Sequence, residues 1–175
     1  MSVDINLSFE RLSKGDKSAF SDIYRELKVP VYTIIYRITE QKELSEDLAS
    51  EVFLKLFSSP PDSSIENKRA YVFKIARNLS IDALRKKQSL DIDSMEISDE
   101  SSVENATIRM DIEQAMKKLS YEQREILSLH IIGELKFSEI SEIVGLSVPS
   151  VFRRYQKALK ALQSILSGGV LWKSF

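Results

Sequence analysis

Apolar residues recur along this chain at three- and four-residue intervals nearly everywhere, and they do not alternate with polar ones over the length of a strand. That spacing predicts helices and no strand. The first helices run from about Asn6 to Leu12 and, after the Lys14-Gly15-Asp16 turn, from about Ser18 to Leu27, with Ala19, Phe20, Ile23, Tyr24 and Leu27 directed inward. Pro30 is expected to interrupt, because the residue before a proline resists the helical conformation, and Val31 to Ile38 to resume as a further helix. Ser45 to Phe57 carries Leu48, Val52 and Leu56 as one stripe, and residues 58–67, SSPPDSSIEN, read as a turn-rich loop. From about Lys68 to Gln88 the stripe is Val72, Ala76, Leu79 and Ala83. Periodicity then fails over residues 89–105, an acidic, serine-rich stretch read as a flexible linker between two helical domains. Beyond it, helices are expected over Ile108 to Leu119 and Tyr121 to Glu134, the second capped by Ser120, before a tail that is glycine-broken from Ser167.

The stretch Lys136 to Lys160 reads as two helices held at a sharp angle. Phe137, Ile140 and Val144 share a face of the first, with the small Ser141 beside them. Gly145 can take the left-handed conformation that reverses the chain, Leu146 fills the corner, and the Ser147 hydroxyl can cap the next helix. Pro149 falls in the first turn, where its missing N–H costs nothing. Val151, Tyr155, Ala158 and Leu162 form the buried stripe of the second helix. Its opposite side carries Pro149, Arg153, Gln156 and Lys160, flanked by Ser150, Phe152, Arg154 and Lys157, and no acidic residue follows Glu142. Arginine and glutamine on such a face can reach base edges in a major groove while the basic flanks meet phosphate. The competing reading is a solvated basic face on an ordinary helical pair.

Composition narrows the remaining choices. The 175 residues allow one domain or two small ones, and 43% hydrophobic with 29% charged residues is a globular balance. A formal net charge of −1 confines any nucleic-acid binding to local basic patches. There is no cysteine and one histidine, His130, in the apolar run LSLHII where packing is its expected role, so neither a metal centre nor a histidine-based catalytic site is expected. No stretch reaches the apolar length of a membrane span and the acidic, polar start is unlike a signal peptide, so no direct membrane insertion and a cytoplasmic location are expected.

Two further helices carry candidate chemistry. Ser45 to Phe57 exposes Glu46, Asp47, Ser50 and Glu51 with Leu54 at the acidic edge; it is either a simple amphipathic surface helix or a dock for a basic partner helix. Lys68 to Gln88 projects Lys74, Arg77 and Arg85, with Tyr71 and Asn78 between them and the core stripe. Cations, an aromatic ring and an amide on one surface suit unpaired bases, which need phosphate neutralisation, stacking and an edge reader. A solubilising basic face, with Asp82 and Lys86 as a helix-stabilising pair, would account for the same pattern.

On KGDKSAF (14–20), SEDLASEVFLKLF (45–57), AYVFKIARNLSIDALR (70–85) and LSYEQREILSLHIIGELKFSEISEIVGLSVPSVFRRYQKA (119–158), in that order and spacing, the chain resembles bacterial RNA polymerase sigma factors of the sigma-70 family, extracytoplasmic-function group. The resemblance implies an all-α fold of two small domains: a region 2-like domain over 1–88, an acidic linker over 89–105, a region 4-like helix-turn-helix domain over 106–168, and a tail over 169–175. It implies a promoter-specificity subunit with no catalysis and no cofactor. The helix matching Ser45 to Phe57 would bind the beta-prime clamp helices of core polymerase through Asp47, Ser50, Glu51 and Leu54, although Ser50 stands where the family usually has glutamine.

The next helix would face the minus-ten element through Tyr71, Lys74, Arg77, Asn78 and Arg85. Tyr71, commonly tryptophan in the family, would act in melting and Asn78 in a base pocket bordered by Ser63 to Asn67. The helix-turn-helix would read the minus-thirty-five element, with Pro149, Phe152, Arg153 and Gln156 toward the groove and Ser150, Arg154 and Lys157 on phosphates. Phe152 and Arg153 depart from the commonest basic-then-serine order there. The partners implied are core RNA polymerase, at its beta-prime clamp helices and beta flap, promoter DNA, and an anti-sigma factor. The alternative from another class is a free-standing helix-turn-helix regulator that binds operator DNA without polymerase. A nucleic-acid enzyme would need a carboxylate cluster or positioned nucleophile that the sequence does not offer.

Overall fold

The computed structural model describes residues 4–90 and 106–167, and within them finds α-helices and no strand. The helices are α1 (Ile5–Ser13), α2 (Ala19–Thr39), α3 (Lys42–Ser58), α4 (Lys68–Leu90), α5 (Ala106–Lys117), α6 (Tyr121–Ile131), α7 (Phe137–Val144) and α8 (Val148–Ser167). Residues 91–105, most of the expected linker, and the tail with Leu171, Trp172 and Phe175 lie outside the described residues.

Local chemistry sets the helix ends. Asp4 Oδ1 accepts the backbone N–H groups of Asn6 and Leu7 at 2.9 and 3.2 Å and so starts α1. Ser120 and Gln123 form a reciprocal capping box at α6. Gly145, at φ 71°, closes α7, with its own N–H and that of Leu146 both donating to the Ser141 carbonyl.

Pro30 does not break α2, which runs unbroken from Ala19 to Thr39. Ile23, Leu27, Val31, Ile34, Ile35 and Ile38 are buried on both sides of the proline along one stripe. Burying that stripe whole outweighs the lost backbone hydrogen bond, a penalty of about 3 kcal/mol. Tyr24, expected inside, is exposed at the margin of that stripe. Expected to reach Glu134, α6 stops at Ile131, because Ile132 and Gly133 both donate to the Ser128 carbonyl and Glu134 turns left-handed at φ 57°. Gly133 is needed there: a Cβ would lie 2.4 Å from the Leu129 carbonyl oxygen.

The helices on either side of residues 91–105 pack against each other. Ile126, Leu129, Leu135, Ile140, Ile143 and Val151 of the C-terminal half join the N-terminal apolar residues in one contiguous core. A polar seam surrounds the junction. Arg77 Nε donates to Glu125 Oε1 at 2.6 Å, Asn67 Nδ2 to Glu139 Oε1 at 2.6 Å, and Arg69 Nε to the Gly133 carbonyl at 2.8 Å. Arg124 pairs with Glu40 at 3.0 Å, and Arg37 Nη2 donates to Glu113 Oε1 at 2.7 Å.

Candidate functional site

Three surfaces carry the candidate residues. On α3, burial of Leu48, Ala49, Val52, Phe53 and Leu56 turns Asp47, Ser50, Glu51 and Leu54 to solvent together. Ser50 Oγ donates to the Glu46 carbonyl at 2.9 Å, so its proton is spent inside its own helix and only acceptor capacity faces outward. Glu51 pairs with Lys55 one turn on, at 3.1 Å. Leu54 is 68% exposed, and the exposed Phe57 lies one turn further along the same face. Phe57 packs edge-on against Phe20, while the exposed Tyr24 packs against Phe53. This apolar shelf beside the acidic edge escaped sequence reasoning, because Tyr24 and Phe57 fit the inward periodicity of their helices.

On α4, Asn67 sits at the N-terminus, its Oδ1 accepting the Ala70 N–H at 2.9 Å while its amide nitrogen reaches Glu139 of α7. Tyr71 and Asn78 lie on one wall of an open cleft of about 340 Å³, together with Ile75 and Asp82; Lys55 and Ser59 at the end of α3 form the other wall. The Tyr71 ring, the Asn78 amide and Lys55 therefore line one open cleft, with the Asp82 carboxylate beside them. The contribution of Lys55 and Ser59 was not legible in the sequence, since it depends on how α3 crosses α4. Lys74 and Arg85 are exposed near this wall.

Arg77 is placed elsewhere. Its side chain is 18% exposed and points into the seam, where it pairs with the 3% exposed carboxylate of Glu125. Tyr121 Oη donates to the same carboxylate oxygen at 2.9 Å. Burial, followed by the charge of Glu125, pushes the Tyr121 phenol well above its ordinary range.

On α8, Pro149, Phe152, Arg153, Gln156 and Lys157 are exposed, and Ser150 and Arg154 are half-buried. The Ser147 hydroxyl, expected to cap, meets the Ser150 hydroxyl at 2.9 Å, while the Ser147 carbonyl accepts the Val151 N–H. Glu122 has its carboxyl held below the usual range by its own backbone N–H and the Ser120 hydroxyl, with a smaller contribution from the charge of Arg154. Behind the face lies an aromatic cluster. His130 stacks on Phe137 at 4.4 Å and meets Tyr155 edge-on at 4.8 Å, and its Nδ1 lies 2.8 Å from the Leu135 carbonyl, so packing is its role. Among the described residues no group of three or more metal-binding side chains occurs, and no helix is long and apolar enough to cross a membrane.

Comparison with known proteins bears on the same elements. Residues 23–90 match the family described as Sigma-70 region 2, and residues 109–162 match Sigma-70, region 4. The ECF RNA polymerase sigma factor SigW of Bacillus subtilis is 29% identical over 184 aligned positions, covering 95% of this chain and 98% of SigW. SigM of the same organism is 29% identical over 155 positions, covering 81% of this chain and 93% of SigM. The sigma factor RpoE of Bartonella quintana, solved with the anti-sigma factor NepR, shares the fold at a TM-score of 0.66 and 20% identity, over 83% of this chain and 97% of that one. CnrH, solved with the cytosolic domain of CnrY, shares it at 0.65 and 18% identity, over 93% of this chain and 97% of that one.

Proposed function

This chain belongs to the sigma-70 family, in its extracytoplasmic-function group, and from that premise we propose that it binds core RNA polymerase and directs it to a particular set of promoters. It performs no catalysis of its own and acts in the cytoplasm. The observation that carries this reading is the pairing, in one chain, of a region 2 match holding the Tyr71–Asn78 cleft with a region 4 match holding the exposed α8 face. A free-standing operator-binding regulator would have no use for the first of these.

The placement of these residues supports a physical role for each. Asp47 and Glu51 supply negative charge to a basic partner helix, and Leu54, with Phe57 beside it, supplies an apolar anchor at the rim. Such a surface fits the beta-prime clamp helices, with the C-terminal half engaging the beta flap. Tyr71 stacks at the edge of melted DNA, Asn78 hydrogen-bonds an extruded base in the cleft, and Lys74 and Arg85 neutralise the strand around it. Pro149, Phe152, Arg153 and Gln156 face the major groove of the upstream element, with Ser150, Arg154 and Lys157 along its phosphates. An anti-sigma factor would hold the chain inactive by covering these surfaces.

Using both DNA faces at once requires the halves to part. Elements named minus ten and minus thirty-five lie about 25 base pairs apart, or about 85 Å of duplex at 3.4 Å per pair. A compact chain of this length has a radius of gyration of only about 16 Å. Arg77 then becomes available to DNA only once α6 withdraws Glu125 from it.

The test is to sequence the 5′ ends of transcripts made from genomic fragments by core polymerase with and without this protein. Discrete new start sites preceded by a shared pair of elements are expected. A protein that binds those fragments alone and adds no start site would be the free-standing regulator.

A further inference from the structure

The face of α8 that is turned outward has an apolar end. Val148 and Phe152 stand one helical turn apart and are 41% and 44% exposed, with the exposed Pro149 between them. Large apolar side chains at solvent are unremarkable singly, but these sit at the N-terminal end of the second helix of a helix-turn-helix, the part that meets base edges. The cationic and amide members, Arg153 and Gln156, begin only beyond them.

Phe152 is also held still. Its ring meets Phe137 edge-on, with centroids 5.4 Å apart and planes at 70°. Phe137 is in turn fixed by stacking on His130 and by contact with Tyr155 at 5.1 Å, and the Nδ1–H of His130 donates to the Leu135 carbonyl. A chain of rings thus ties Phe152 back to α6 while leaving it exposed. Edge-to-face is a favourable ring packing, so this contact braces Phe152 while 44% of it stays open to solvent.

A ring without donors or acceptors cannot read the hydrogen-bonding edge of a base. In the major groove the one apolar feature that distinguishes a base pair is the C5-methyl of thymine. We propose that Phe152 is a specificity-determining residue that recognises a thymine methyl group in the upstream promoter element, with Val148 extending the same apolar strip. This rests on the reading of α8 as the upstream-element reader and deepens it: one position of that element is chosen by shape and hydrophobic contact, beside positions read by Arg153 and Gln156 through hydrogen bonds.

The experiment uses holoenzyme and a promoter fragment found by transcript sequencing. Each thymine of the upstream element is replaced singly by deoxyuridine, which removes the methyl and leaves every hydrogen-bonding group in place. Wild-type holoenzyme should lose about fourfold in affinity at one position, the equivalent of one buried methylene at about 0.8 kcal/mol. Holoenzyme carrying Phe152→Ala should bind the unmodified promoter about fourfold more weakly and be indifferent to deoxyuridine at that position. Two outcomes overturn the proposal: no deoxyuridine-sensitive position for the wild type, a result independent of how the variant folds, or undiminished sensitivity in a folded Phe152→Ala. Full base-pair substitutions in the same fragments separate the two levels. If they weaken wild-type binding while deoxyuridine does not, only the methyl contact is wrong; if neither matters, α8 does not read the element and both readings fall.

Discussion

Replacing Arg77 with alanine should loosen the junction between the two halves more than any other single change on the seam. Glu125 is 3% exposed and its carboxylate has two charge-stabilising neighbours, the Arg77 guanidinium at 2.6 Å and the Tyr121 hydroxyl at 2.9 Å. Removing one partner of a buried ion pair costs about 3–5 kcal/mol, since the remaining charge is stranded away from water. Tyr121 stays and part of Arg77 is already at the surface, so the lower end, about 3 kcal/mol, applies. Water reaches the stranded carboxylate if α6 draws back from α2, its main neighbour across the seam, and from Arg77 of α4. At about 1.4 kcal/mol per tenfold change, the closed arrangement should be disfavoured by about two powers of ten. Because the chain has no cysteine, dyes can be placed uniquely at Lys14→Cys and Lys160→Cys, both exposed, and the distance distribution followed by single-molecule energy transfer. Arg77→Ala should move the population to longer distances. Combining Arg77→Leu and Glu125→Leu with Tyr121→Phe, which removes the hydroxyl that Glu125 accepts from, should restore it, since apolar side chains can replace a buried ion pair at little cost. An unchanged distribution and an unchanged melting temperature for Arg77→Ala would refute the reasoning, because Glu125 could not then depend on Arg77.

Asp47→Lys or Glu51→Lys should abolish capture of core polymerase while circular dichroism stays normal, since like charges brought together at an interface cost several kcal/mol; undiminished pull-down by both variants would remove α3 from the interface. Arg153→Ala and Gln156→Ala should each relax the choice of particular upstream base pairs by about 1–3 kcal/mol, whereas Lys157→Ala should weaken all promoters alike and flatten the salt dependence, as read by a substitution panel and a salt titration. The folded-state phenol of Tyr121 binds its proton more tightly than the ordinary value of 10.0, so its contribution is fully present below pH 10 and is lost as pH rises through the raised value. Thermal melts above pH 10 should therefore fall more steeply for the wild type than for Tyr121→Phe, which has no proton to lose.

The sequence was most informative where one local rule settles the matter. Gly145 with Leu146 and Ser147 marks the turn before α8 because reversing a helix within a few residues leaves few chemical solutions. Periodicity likewise assigned Val72, Ala76, Val151 and Ala158 to the core. It misjudged Pro30, where the local penalty lost to burial on both sides of α2, and Tyr24, which lies on the edge of an inward stripe. Arg77 shows the deeper limit. Helical spacing places it on a polar flank of α4 but cannot say that this flank meets α6, since the partner, Glu125, lies far along the chain and beyond the acidic stretch. Tyr71 and Asn78 were legible as a pair, whereas the opposite wall at Lys55 and Ser59 depended on the crossing of two helices.

The central claim, that this chain captures melted DNA on behalf of polymerase, is tested most directly by permanganate reactivity of promoter thymines, which reports unpaired bases. Wild-type holoenzyme should expose thymines in and downstream of the minus-ten element of a linear promoter, and the protein without core polymerase should expose none. Tyr71→Ala should be defective on the linear promoter and recover on a pre-melted bubble, because about 1–3 kcal/mol of stacking is no longer needed to start the opening. Asn78→Ala should remain defective on both, since base capture in the cleft still requires its amide. Equal loss of closed and open complexes in both variants would contradict the account and leave α4 as a clamp on duplex phosphates.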